Sequence, residues 1–216
     1  MKGVIMAGGF GTRLKPLTIH RPKPMVPIAN RPIMEHIVEL LKRHGITDLI
    51  SILYFQPEHI TSYFGDGSAF GVSMRYVTAE ADYGTAGAVR YAVDLIGGER
   101  VLVISGDVLT DFDLGAIVRA HEERRAEATI VIADPETGRI ERFLEKPTWG
   151  EVFSDTINTG IYVLEPEAIM RVPPQTNVDF SRDLFPQMLR EEARLFGHIA
   201  EGYWRDVGNL NEYRRA

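Results

Sequence analysis

Gly3-Val4-Ile5-Met6-Ala7-Gly8-Gly9-Phe10-Gly11-Thr12-Arg13 runs from an unbroken apolar stretch straight into glycines and a cation. Residues 3–7 carry no polar side chain, as expected for a strand buried on both faces of a parallel sheet. Further strands read at 49–55, 72–77 and 101–104, the last (Val101-Leu102-Val103-Ile104) being the most apolar. Between them the apolar period changes. Ile33, Met34, Ile37, Val38, Leu40 and Leu41 recur at helical spacing, and Gly45 sits where a C-terminal cap belongs. A short helix follows Pro57 with Ile60, Tyr63 and Phe64, and amphipathic helices are predicted over 85–96 and 114–125. Buried strands alternating with helices specify an α/β fold, a mostly parallel sheet covered on both sides.

The second half is less regular. A strand is expected at 128–132, then a turn at Asp134-Pro135-Glu136-Thr137-Gly138, then an alternating strand at 139–144 that suits an antiparallel hairpin partner. Strands follow at 159–164 and 196–200, with a helix over 183–193. No repeat, low-complexity tract or linker interrupts the chain. The loop Arg171-Val172-Pro173-Pro174-Gln175 is too short to divide it, so residues 1–216 read as a single domain.

Composition narrows the function. The 216 residues are 44% hydrophobic, enough for a sizeable core, and 24 basic against 30 acidic side chains give a net charge of −6. That sign argues against a nucleic-acid partner while leaving room for a local basic pocket. The absence of cysteine removes disulfides, thiol nucleophiles and thiolate metal sites together. No apolar run approaches the ~18 residues of a membrane span, so no membrane partner is expected. The opening Met1-Lys2-Gly3-Val4-Ile5-Met6-Ala7 is too short for a signal-peptide core, which leads to the expectation of a cytoplasmic protein.

Ligands of parallel sheets sit at the carboxyl ends of the strands. Gly8-Gly9-Phe10-Gly11 ends the first strand and Ser105-Gly106-Asp107 the fourth. Glycines there let a backbone approach an anion closely, and Arg13, Lys15, Arg21 and Lys23 crowd positive charge into the following loop. Prolines at 16, 22 and 24 stiffen it. Phosphate binding is the better reading than a solvated turn. Two familiar phosphate loops do not fit. Counting from Gly8, Arg13-Leu14 stands where a Walker loop begins its Gly-Lys-Ser/Thr, and Leu14 stands where a dinucleotide fingerprint needs a small third residue. Asp107 reads equally well as a Mg²⁺ ligand or as a turn aspartate, and Asp206 either as a second carboxylate or as a partner of Arg205. Asp111 and Asp113 read as the cap and first turn of the next helix. In Glu145-Lys146-Pro147 the lysine, judged alone, is a surface residue. The six histidines lack ligand spacing, and His121-Glu122-Glu123-Arg124-Arg125 reads as a solvent-facing helix end.

Together these pieces resemble the sugar-1-phosphate nucleotidyltransferases, or sugar-nucleotide pyrophosphorylases. The carriers are Gly8-Gly9-Phe10-Gly11-Thr12-Arg13-Leu14 with Pro16-Leu17-Thr18, and Pro22-Lys23-Pro24. Gly84-Thr85-Ala86-Gly87, Ser105-Gly106-Asp107, Phe143-Leu144-Glu145-Lys146-Pro147, Asn158-Thr159-Gly160 and Trp204-Arg205-Asp206-Val207-Gly208 follow in family order. Residues 153–162 look most like the mannose-1-phosphate guanylyltransferase branch.

The resemblance implies a Rossmann-like three-layer α/β/α fold, a mostly parallel mixed sheet with an antiparallel sugar-binding part. It implies transfer of a nucleotidyl group from a nucleoside triphosphate to a sugar 1-phosphate, releasing pyrophosphate, with GTP and mannose 1-phosphate favoured. Arg13, Lys23 and Lys146 would be catalytic, and Asp107 with Asp206 would hold Mg²⁺. Ala7, Gly8, Gly9, Gly11, Thr12, Gln56, Glu80, Gly84 and Thr85 would bind the nucleotide. Gly106, Glu145, Asn158 and Thr159 would face the sugar.

Two departures stand out. Family members carry a longer segment, with an aromatic-glycine pair lining the sugar pocket, where here Ile132-Ala133-Asp134 leads directly into the turn. The guanylyltransferase branch also continues into a left-handed β-helix of hexapeptide repeats, which this sequence lacks, leaving a catalytic domain with a homo-oligomer still open. Alternatives are a dTTP- or UTP-dependent glucose-1-phosphate enzyme and a non-catalytic, nucleotide-sugar-binding regulatory relative. A dinucleotide oxidoreductase is disfavoured by Leu14.

Overall fold

A computed structural model describes residues 1–133 and 157–216. In chain order the strands are β1 Lys2–Ala7, β2 Pro27–Ile28, β3 Arg31–Pro32, β4 Asp48–Leu53, β5 Ser73–Thr78 and β6 Val101–Ser105. They continue with β7 Val108–Thr110, β8 Ala128–Ala133, β9 Ile157–Leu164, β10 Leu195–Ile199 and β11 Trp204–Asp206. The helices are α1 Ile33–Arg43, α2 Pro57–Phe64, α3 Gly84–Tyr91, α4 Val93–Ile96, α5 Leu114–Glu123, α6 Pro166–Met170, α7 Phe185–Arg190 and α8 Leu210–Arg215.

Seven strands form the central sheet in the order β10-β8-β9-β6-β1-β4-β5. β1 lies parallel to β4 and β6, as β4 does to β5 and β10 to β8, whereas β9 runs antiparallel to both β6 and β8. The mostly parallel mixed sheet expected from the sequence is the one observed.

β1 explains the layering. Its successive side chains point to opposite faces, and both faces are closed: Val4 enters one apolar core and Ile5 the other, each fully buried. The Ile5 face is covered by α1, α2 and α5 through Ile33, Leu41, Ile60, Phe64 and Ile117. The Val4 face is covered by α3, α4, α6 and α7 through Val89, Ile96, Ile169 and Phe185. Each such side chain contributes about 1.5–3 kcal/mol on burial. Among the described residues no helix is long and apolar enough to cross a membrane.

Several boundaries depart from expectation. The strand predicted to reach residue 55 stops at Leu53, because Gln56 adopts left-handed backbone (φ 47°) ahead of the proline that starts α2. The helix over 85–96 breaks at Ala92 (φ −86°, ψ 8°) into α3 and α4. The helix expected over 183–193 begins earlier, in a wide turn at Phe180–Leu184 capped by Asp179, and ends at Arg190. Strand β7 was not anticipated, since three residues give too short a pattern to read. The turn at 134–138 and the strand at 139–144 lie outside the described residues.

The cap of α5 is Asp113, read from the sequence as a first-turn residue, its Oδ1 accepting from the Ala116 amide at 2.9 Å. Asp111 does not join it. Its carboxylate accepts from the Tyr203 amide at 2.7 Å, holding the turn that leads into β11.

His121 corrects the reading of its tract, because it is fully buried rather than solvent-facing. On the helix face opposite its charged neighbours, it meets Thr129 on β8 and Glu165 after β9. The neutral ring is satisfied on both sides: Nδ1 accepts from the Thr129 hydroxyl at 2.8 Å and Nε2–H donates to Glu165 Oε1 at 3.2 Å. Burial holds its pKa below the ordinary histidine value, outweighing the hydrogen bond to Glu165 that favours the charged ring. Burial likewise lowers His198. The unfolded imidazoles take a proton near pH ~6.5 and the buried ones do so only below it, so stability declines as pH falls through that value. Denaturant midpoints should therefore drop between about pH 7.5 and about pH 5.5, with part of the slope removed in His121→Gln. A flat profile over that window would contradict this account.

Candidate active site

The carboxyl ends of β1, β4 and β6 share one rim of the sheet, and the glycine loop leaves β1 there. Gly11 takes left-handed backbone (φ 62°), which turns the chain into the tight helical turn Thr12–Leu14, and its carbonyl accepts from the Thr18 hydroxyl at 2.7 Å. Packing against Thr18 and Lys23 leaves no room for a side chain at Gly11. Gly9 differs: a Cβ built there meets none of the described residues within 4 Å. The fold does not explain that glycine, whereas an incoming ligand would.

Lys23 opens a second tight turn between Pro22 and Pro24 and is only 7% exposed. Its ammonium donates to Asp107 Oδ2 in a short contact and to Asp206 Oδ1 at 3.5 Å. Two local features bring the aspartates together. Gly106 lets the end of β6 fold against β1, its amide donating to the Met6 carbonyl at 2.9 Å in a space where a Cβ would lie 2.8 Å from that same oxygen. Then β7 pairs antiparallel with β11, placing Val108 opposite Asp206, and the Val207 amide donates to the Asp107 carbonyl at 3.0 Å. The Trp204 indole N–H donates to the Thr159 carbonyl at 2.9 Å, tying β11 to β9.

Of the two readings open for Asp206, pairing with Arg205 is not observed. Arg205 faces away, bonded to Glu212 and to the Tyr203 hydroxyl at 3.2 Å. Asp206 has its carboxyl raised above the ordinary range, chiefly by burial and then by the charge of Asp107, while Lys23 and Arg13 pull it down. Arg13 is exposed on the loop, near enough for its charge to act on the Asp206 carboxyl. Two carboxylates converging on a cation form a hard oxygen site of the kind Mg²⁺ uses, which needs one or two carboxylates and completes its shell with water or phosphate. Among the described residues no third carboxylate or histidine joins them.

The remaining predicted residues fall into distinct groups. Ala7 closes β1, Gly8 and Thr12 belong to the loop that follows, and Glu80 is exposed just past β5. Gln56 precedes α2 with its Oε1 buried and without a partner among the described residues. Thr85 does not offer a free hydroxyl: it donates to Asp179 Oδ2 at 2.8 Å and accepts from the Phe180 amide at 2.9 Å. Thr159 is buried, its hydroxyl donating to the Val131 carbonyl at 2.7 Å, so its side chain belongs to the core. Asn158 donates to the Tyr162 and Ser181 hydroxyls at 3.0 Å each, and its Oδ1 accepts from the Gly160 amide. Glu145 and Lys146 lie outside the described residues. The sequence reading missed Asp179, although an aspartate ahead of an apolar helical run is a cap signal. It also missed Asp111 as the anchor of β11, for which no local pattern exists.

The chain is 34% identical to the mannose-1-phosphate guanylyltransferase of Mycobacterium tuberculosis over 225 residues, covering 98% of this chain and 62% of that protein. It is 35% identical to the UTP–glucose-1-phosphate uridylyltransferase of Synechocystis over 242 residues, again covering 62% of the relative. It therefore spans less than two thirds of the length of either. Among solved structures, a Bacillus anthracis protein described as a glucose-1-phosphate thymidylyltransferase, in complex with sucrose, superposes with a TM-score of 0.86. That match has 26% identity and covers 100% of this chain and 93% of the other. HddC of Yersinia pseudotuberculosis, solved with GMP-PN, shares the fold at a TM-score of 0.83 and 24% identity, covering 100% of this chain and 97% of that one. The glycine loop, the buried lysine and the carboxylate pair thus sit on a fold these proteins share, and with a family model matching residues 2–216 the chain belongs to the nucleotidyl transferase family.

Proposed function

We propose that this chain transfers a nucleotidyl group from a nucleoside triphosphate to a sugar 1-phosphate, with GTP and mannose 1-phosphate as the preferred pair. The observation that carries the reading is the convergence of Lys23, Asp107 and Asp206 at the rim where the glycine loop leaves β1, a loop in which a Cβ on Gly9 would meet none of the described residues within 4 Å.

An oxygen of the sugar phosphate attacks the α-phosphorus in line. The new P–O bond forms as the bond to the bridging oxygen breaks, and pyrophosphate leaves with that electron pair. Such a reaction asks for positioning and charge neutralisation rather than a covalent intermediate. The glycine loop, with Ala7, Gly8, Gly9, Gly11 and Thr12, cradles the triphosphate, and Arg13 stabilises the departing pyrophosphate. Lys23 stands at the reacting phosphates, and Lys146 grips the sugar phosphate. Asp107 and Asp206 would hold Mg²⁺, which would supply positive charge to offset that of the phosphate oxygens. Lys23, which offsets part of the charge of these two carboxylates, would also donate to phosphate oxygens brought to the same rim. Gln56, Glu80 and Gly84 lie on the base side. Glu145 addresses sugar hydroxyls, the start of β9 at Asn158 forms the sugar side, and Gly106 serves the site by letting the end of β6 close against β1.

A second reading, UTP or dTTP with glucose 1-phosphate, is favoured by the 35% identity to the uridylyltransferase of Synechocystis. Pyrophosphate release over four triphosphates and several sugar phosphates separates them. The expected maximum is GTP with mannose 1-phosphate; a maximum at UTP or dTTP with glucose 1-phosphate selects the other. Binding without turnover for every pair would favour the regulatory alternative.

Asp107→Ala removes one of two charge-bridging carboxylates and should lower turnover in Mg²⁺ by on the order of a hundredfold or more, the several kcal/mol such a bridge supplies. Near-normal turnover in a folded Asp107→Ala protein would reject the metal assignment. Because burial and Asp107 raise the Asp206 carboxyl, protons compete with the metal at higher pH than at an ordinary carboxylate. The Mg²⁺ concentration for half-maximal turnover should therefore rise as the assay is acidified towards the carboxylate range. An unchanged requirement would contradict that.

A further inference from the structure

Residues 82–87, at the start of α3, are gripped by a distant segment, residues 177–180. The Val178 amide donates to the Tyr83 carbonyl at 2.9 Å, and the Val178 carbonyl accepts from the amides of Ala86 and Gly87 at 2.9 and 3.0 Å. The Asn177 side chain donates to the Asp82 carbonyl at 2.8 Å. Asp82 in turn accepts from the Gly84 amide at 3.0 Å. Contact is so close that a Cβ on Gly84, which also has left-handed backbone (φ 68°), would lie 2.6 Å from the Val178 carbonyl. A Cβ on Gly87 would lie 2.3 Å from the Thr176 carbonyl. The glycines of Gly84-Thr85-Ala86-Gly87 are therefore required by this seam of the protein itself.

The side-chain centre of the seam is Thr85 against Asp179. One carboxylate oxygen of Asp179 accepts from the Thr85 hydroxyl, and the other accepts from the amides of Ser181 and Arg182 at 2.8 and 3.1 Å. Thr85 Oγ1 also accepts from the Phe180 amide. From there the network continues through the Ser181 hydroxyl, which accepts from the Asn158 amide at 3.0 Å, to β9. The two ends of this chain of contacts are the residues beside Gly84 and the start of β9 at Asn158. Resting on the transfer reading above, these are its base side and its sugar side.

We infer that Thr85 and Asp179 are positioning residues for nucleotidyl transfer, a brace that fixes the base-side loop through a hydrogen-bonded link to the sugar-side strand. Thr85 does not contact the substrate through its hydroxyl. That hydroxyl gives its single proton to Asp179 and accepts the Phe180 amide, leaving it held within the protein. Its effect passes through the backbone of residues 84–87. Because one net hydrogen bond corresponds to about a fivefold change in an equilibrium, the effect belongs on substrate affinity rather than on the chemical step.

The test uses Thr85→Val, Thr85→Ser and Ser181→Ala in the full chain, with steady-state kinetics and amide hydrogen exchange without substrate. Thr85→Val, which keeps the side-chain shape but removes the hydroxyl, should raise the KM for the triphosphate about fivefold with little change in kcat, and speed exchange over residues 84–87. Thr85→Ser, which restores the hydroxyl, should return both towards wild type. Ser181→Ala cuts only the link to Asn158, so it should raise the KM for the sugar phosphate and leave that for the triphosphate in place. Unchanged KM values in Thr85→Val, or an equal loss in Thr85→Ser, would overturn the brace. If the wild-type chain turns over no substrate pair, the transfer reading fails by itself. Exchange over residues 84–87 then decides the brace, and no change in Thr85→Val overturns it.

Discussion

One buried ammonium facing two carboxylates sets the conditions for everything at the rim of this sheet. Lys23 is inserted from a proline-bounded turn, Asp107 from the end of β6 and Asp206 from β11, so three separated parts of the chain must arrive together. Ion pairs of this kind seldom add much stability, because each charge gives up hydration before it gains a partner. Their persistence is better explained by chemistry. A reaction that accumulates phosphate charge needs cations already oriented and carboxylates ready for a metal, and a folded protein can prepare both in advance. The hydrogen bonds around the trio, from Val207 to Asp107, Gly106 to Met6 and Tyr203 to Asp111, orient it.

The parts legible in the sequence were those in which a residue's role is fixed by its immediate neighbours. An unbroken apolar run such as Val101-Leu102-Val103-Ile104 can only be a strand buried on both sides, and glycine followed by aspartate at its end marks a turn at a ligand-bearing edge. Arg13, Lys23 and Asp107 could be singled out for that reason. What escaped depends on long-range contact. β7 exists because β11 pairs with it, and its three residues carry no pattern of their own. Thr85 looked like a residue aimed at a ligand until Asp179, ninety-four positions away, proved to hold it. His121 sat among charged residues yet points inward, since the polar partners that make its burial tolerable come from β8 and from the residue after β9.

The glycines divide on the same principle. Those at 84, 87 and 106 are demanded by backbone oxygens that come too close for any side chain. A Cβ on Gly9 would meet none of the described residues within 4 Å. Family motifs present all of them alike as conserved-looking punctuation around a ligand, whereas packing separates the ones that build the frame from the one left for what enters it. The same distinction applies to Thr159 and Asn158, whose side chains are already engaged within the fold.

Strand β9 runs against its neighbours, and this reversal sets both ends of the chain that joins it to β8. Because it is antiparallel to β8, its first residues lie level with the last residues of that strand, while Ile161 stands opposite Ile104 near the end of β6. Ala133, closing β8, and Ile157, opening β9, are paired across the ladder. The two ends of that junction are thus fixed by the ladder itself, which runs from Ala128 opposite Leu164 to Ala133 opposite Ile157.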